Sequence, residues 1–141
     1  MKLLFSIVFV FAFSHVNAQN RNSIWCFGDS AGIDFRNLAN PVPIISSMDV
    51  RGASVTIADS LGNLQFYAAS QSQSLQVMLW NSLHQPLFNA IDSFPSGGLY
   101  NDVQIIPMPG TNNKYYVFHT GFITGFTGLY YAIVNMDLDN G

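Results

Sequence analysis

Glutamate is absent from this 141-residue chain, and cysteine occurs once, as Cys26. A single thiol excludes an internal disulfide, and it leaves too few soft ligands for a structural zinc or an iron–sulfur centre. With Ile24, Trp25 and Phe27 around it, Cys26 reads as a small buried hydrophobe rather than a reactive thiol. Charged residues make up only 9% of the sequence. A charge set this thin, and mildly acidic, excludes the basic patches that nucleic acid or an anionic membrane surface requires. Solubility therefore rests on Asn, Gln, Ser and Thr. Gly97 and Gly98 are not followed by the lysine and helix of a phosphate-cradling loop. Long stretches of helical periodicity are missing as well.

What is present begins with a leader-like segment. Lys2, an apolar run from Leu3 to Phe13, and Val16-Asn-Ala18 follow the order of a secretory signal peptide, residues 1–18, with cleavage expected after Ala18. The run is far shorter than the roughly 20 residues that span a bilayer, so no transmembrane segment is expected. Cleavage leaves 123 of the 141 residues, with four basic side chains (Arg21, Arg36, Arg51, Lys114) against eight aspartates. That length suffices for one ordinary core.

The rest of the chain alternates β-branched and aromatic stretches with Gly, Asn and Pro clusters, which indicates an all-β fold. Two strand–turn–strand units, Ala53 to Tyr67 and Asp102 to Phe118, echo each other about 48 residues apart. Self-similarity at that period is the signature of β-propeller blades. Strands are expected at Ile24 to Gly28, Ala53 to Ala58, Leu64 to Ala69, Gln76 to Trp80, Asp102 to Ile106, Lys114 to His119 and Leu129 to Val134, with a weaker one near Leu87 to Ile91. Asp29 to Asp34 reads as a polar loop and Thr120 to Thr127 as a linker. Asp59 starts its turn by bonding its own backbone, and Gly62 supplies positive φ.

In propeller terms the units are an N-terminal strand with a polar loop (19–51), a first blade (52–96) and a truncated second blade (97–141). Antiparallel blades in that number, about one and three-quarters, do not close a ring, because known propellers need about four to eight. The expectation is an incomplete propeller that requires more of its own polypeptide, with a small sandwich closed by these strands as the alternative.

Four stretches carry a family resemblance: Trp25-Cys-Phe-Gly-Asp-Ser-Ala-Gly-Ile-Asp-Phe35, Ile57-Ala-Asp-Ser-Leu-Gly-Asn-Leu-Gln-Phe-Tyr67, Leu79-Trp-Asn-Ser-Leu-His-Gln85 and Ile106-Pro-Met-Pro-Gly-Thr-Asn-Asn-Lys-Tyr-Tyr-Val-Phe118. In order and spacing this region resembles the N-terminal propeller-like part of large secreted, gliding-motility-associated proteins. Those proteins carry a C-terminal sorting domain for type IX secretion. Three positions depart from the family pattern: Cys26 stands at an aromatic position, Arg51 at an acidic one and Ala53 at a cysteine. The resemblance implies an exported, cell-surface or extracellular, non-catalytic recognition or scaffold segment. Two other classes stay open, a carbohydrate-active propeller enzyme with its acids in further blades and the sensor ectodomain of a receptor.

Candidate binding residues fall in the second-to-third-strand and inter-blade loops: Gln71, Gln73, Tyr100, Asn101, Asp102, His119, Phe122 and Phe126. Aromatic planes beside amides and a carboxylate suit an unidentified glycan or protein ligand, since rings cover apolar sugar faces while amides bond hydroxyls. Ordinary solvated loops with rings wedged between sheets are the competing reading. Asp102 and His119 form a potential orienting pair, but no nucleophile in a recognisable setting accompanies them, so no catalytic residue is assigned. Eight scattered aspartates, most of them at turn starts, do not make the paired carboxylates of a glycosidase. Asp137 and Asp139 resemble the opening of a calcium loop but lack its closing glutamate, so neither a metal nor a cofactor is expected.

Overall fold

A computed structural model of the chain describes residues 20–50, 52–71, 76–87, 102–123 and 126–138. The segment read as a signal peptide and most of the weak strand expected at Leu87 to Ile91 lie outside the described residues. What is described is all-β. Nine strands form three antiparallel three-stranded sheets in simple sequential order: β1 (Ile24–Cys26), β2 (Ala31–Asp34) and β3 (Val42–Ile45); β4 (Ser54–Ala58), β5 (Leu64–Gln71) and β6 (Gln76–Asn81); β7 (Val103–Pro107), β8 (Lys114–Ile123) and β9 (Phe126–Asn135).

Three expectations differ from this outcome, the first being that Val42–Ile45, inside the stretch 19–51 read as one strand and a polar loop, forms β3 against β2. Residues 29–34, read as loop, form a tight turn and then β2, so the N-terminal region is a whole sheet. Asp29 and Ser30 reverse the chain with φ of 57° and 58°, and Gly32 packs where a Cβ would lie 2.8 Å from both Ile44 and the Trp25 carbonyl. The polar residues thus mark the turn, while the strand after it is short and glycine-bearing. Similarly, of the stretch read as a linker, residues 120–123 and 126–127 are strand. The β8–β9 ladder continues through Gly121↔Gly128 to Ile123↔Phe126, because a glycine pair facing across two strands interrupts side-chain packing without interrupting backbone pairing.

The turn at Asp59 follows the reading closely. Its carboxylate accepts the N–H groups of Leu61 and Asn63 and the Asn63 side-chain amide, and Gly62 adopts φ +92°. The register slips between Ile57 and Ala58 to accommodate it.

Sheet β4–β6 is covered on both faces. Toward the third sheet it presents Ala53, Ile57, Phe66, Ala68, Val77 and Leu79, which pack on Val103, Ile105, Tyr115 and Val117. Toward the first it presents Tyr67, Ala69 and Trp80, which pack on Ile24, Cys26, Met48 and Val50. The two-residue alternation of each strand is what makes two cores possible on one sheet.

Contacts between sheets concentrate on their first strands, β1 against β4 and β4 against β7. Directions can be read from specific contacts. Phe66, paired with Ile57 late in β4, meets Tyr115, paired with Pro107 at the end of β7, edge to face at 5.2 Å. Strands β4 and β7 therefore run the same way. In contrast, the Cys26 N–H donates to Thr56 Oγ1 while Ser23 Oγ donates to the Gly62 carbonyl, so β1 runs opposite to β4.

Candidate functional site

The common direction of β4 and β7 gathers several candidate residues at one end of the stack, where those strands begin and β5 and β8 finish. Gln71 closes β5 opposite Gln76, and Phe122 and Phe126 sit at the far end of the β8–β9 ladder. Asp102 and His119 are one register step apart there, since Val103 faces His119 and the Thr120 N–H donates to the Asp102 carbonyl. Gln73, Tyr100 and Asn101 lie outside the described residues.

Asp102 and His119 are not solvated loop residues. Both are buried, His119 with 1% of its surface exposed, and its ring stacks on Tyr130 at 5.5 Å and 16°. A histidine held flat against a tyrosine, on the face shared by Val103 and Val117, is part of the packing of that face. Asp102 lies beside it at the sheet edge. Among the described residues no three His, Cys, Asp or Glu side chains come together as a metal site. Asp137 instead accepts a 2.7 Å hydrogen bond from the Asn113 amide, tying the β7–β8 turn to the end of β9.

A different set of residues lines a concavity. Between the edges of β1 and β4 lies an open groove of about 250 Å³ bounded by Asn22, Trp25, Cys26, Phe27, Ser54, Val55 and Thr56. The alternation of β1 builds it. Ile24 and Cys26 turn into the core, and Trp25 and Phe27 turn outward. The Trp25 indole N–H donates to the Asn22 carbonyl at 2.9 Å, and its ring meets Phe27 and Phe35 edge-on. These contacts fix an exposed aromatic wall opposite the hydroxyls of Ser54 and Thr56. Such a groove can hold a neutral ligand by ring contact and hydroxyl hydrogen bonds. Sequence alternation at residues 24–27 carried the signal, but without the position of β4 nothing showed that Trp25 borders a groove rather than a core.

The thiol of Cys26 is buried in the core behind β1. Burial pushes it up from about 9 to about 11, against the opposing hydrogen bond with Thr56. A second polar cluster sits further out. Tyr67 stacks on Trp80 at 5.3 Å and 12°; its hydroxyl accepts the Ser47 N–H at 3.0 Å and lies 3.1 Å from His84 Nδ1. His84 holds φ +61° in the turn after β6 while also reaching Tyr67. Burial raises the Tyr67 hydroxyl above its ordinary value, and its contacts with Ser47 and His84 tie β5 to the turn after β6. No protein family, curated protein or solved structure matches this chain.

Proposed function

We propose that this chain is an exported, non-catalytic recognition or scaffold segment of a larger cell-surface or secreted β-propeller protein, and that the β1–β4 groove takes a neutral glycan or peptide. The observation that carries the architectural part is the adjacency of β4 and β7, first strands of successive sheets that run in the same direction. Successive blades of a propeller meet in this way around their axis. The polarity of β1 fits the same plan. Because β1 runs with β5 rather than with β4, the first sheet corresponds to the second, third and fourth strands of a blade whose first strand comes from elsewhere in the polypeptide.

The recognition part rests on chemistry. Trp25 and Phe27 supply ring surface and Ser54 supplies a hydroxyl, and the one ionisable side chain lining the groove among the described residues is Cys26, pushed up to about 11. Glycan and peptide arrays probed with the mature secreted protein test the reading. Binding that Trp25→Ala abolishes is the expected result. Turnover of an arrayed substrate, or accumulation of the protein in the cytoplasm with residues 1–18 attached, overturns it.

A further inference from the structure

The outward face of the third sheet repeats, row by row, the face that the second sheet buries. Across β4–β6 the rows Val55–Ala68–Leu79 and Ile57–Phe66–Asn81 lie under the third sheet. The corresponding rows of β7–β9 are Gln104–Phe118–Tyr131 and Ile106–Tyr116–Ile133, with Leu129 opposite Thr120 one row further on. Ile57, Phe66, Ala68 and Leu79 are buried, whereas Ile106 is 49%, Ile133 53%, Tyr131 62% and Leu129 70% exposed. Tyr116, Phe118 and Tyr131 form a ring cluster on this face, with centroids 5.7 to 5.9 Å apart. Apolar patches of this kind on a sheet mark an interaction surface.

From this correspondence we infer that Ile106, Tyr116, Phe118, Leu129, Tyr131 and Ile133 form the seat for a further antiparallel sheet of the same polypeptide, contributed by residues beyond 141. The inference rests on the propeller reading above. Continuity with the existing joint defines the occupant. Its first strand runs parallel to β7, as β7 does to β4, and it presents an uncharged alternating face like that of Val103, Ile105, Tyr115 and Val117. A flat glycan is a poorer occupant. The three rings are inclined to one another by 37°, 42° and 73°, which gives no common plane for a sugar chain.

Photocrosslinking of the complete gene product with benzoylphenylalanine at position 131 tests the inference, read by mass spectrometry of the joined peptides. The expected product joins position 131 to residues beyond 141 of the same chain. Crosslinks to residues 24–45 of a second copy, protection by added oligosaccharide, or no protein crosslink each overturn it. Nitration of the unsubstituted gene product gives an independent reading. Tyr131 is expected to react at least tenfold more slowly than free tyrosine amide, and reaction at the free rate overturns the inference. Export and array binding are read separately, so loss of the recognition function and loss of this joint are distinguishable.

Discussion

Individual side chains in this chain are mostly committed to closing turns and filling narrow gaps, which makes single substitutions informative. Asp59 holds its turn with three hydrogen bonds. Burial pushes its carboxyl up, but the bonds from Asn63, Leu61 and Gly62 outweigh that and hold it below its ordinary value. Its contribution is therefore present above the unfolded carboxylate range and lost as pH falls through the lower folded value. Asp59→Ala is expected to cost about 1 kcal/mol at pH 7 and to flatten the acid limb of the stability curve, measured by urea unfolding between pH 2 and 7. Cys26 acts in the opposite direction. Its folded value near 11 exceeds the unfolded one near 9, so folding stability declines as pH rises across that interval, and Cys26→Ala removes part of the decline. Gly52 decides a steric question. A Cβ there would lie 2.5 Å from the Ser70 carbonyl oxygen, and Gly52→Ala should lower stability by about 1–3 kcal/mol in chemical denaturation.

Strands and sheets set the next scale, where alternation gives the middle sheet two buried faces. Phe66 is fully buried between sheets and touches Tyr115. Phe66→Ala is expected to cost about 3–5 kcal/mol, whereas Leu83→Ala in the exposed β6 turn should stay within about 0.5 kcal/mol, both read from urea midpoints. His119 belongs to the same packing, so His119→Ala should destabilise the fold rather than remove an activity at the surface. Several strands were legible before the structure because Ser54–Ala58, Leu64–Gln71 and Val103–Pro107 are β-branched or aromatic runs between turn residues. Strand β2 was hidden because Ala31-Gly-Ile-Asp34 carries one β-branched residue, and its pairing is decided by β1 and β3 on either side. The end of β8 was hidden by Gly121, which looked like punctuation.

Among the described residues, the three sheets stack with the middle one covered on both sides. The outer faces at Trp25–Phe35 and Tyr116–Tyr131 remain apolar and accessible. Exposed sheet faces and edges promote association when nothing covers them. Residues 19–141 expressed alone are therefore expected to self-associate, measured by light scattering, and Tyr131→Lys with Ile133→Lys should reduce that association while leaving the middle sheet folded.

The sequence by itself determined the all-β class, the repeat of the two hairpins and the turn chemistry at Asp59 and Gly62, because alternation and turn preference are local properties written in neighbouring residues. Tertiary structure alone decided which way each sheet runs, that Asp102 and His119 are buried, and that Trp25 borders a groove. Those outcomes depend on which strand lies against which face, over separations of tens of residues, where the pattern of one segment carries no record of its neighbour.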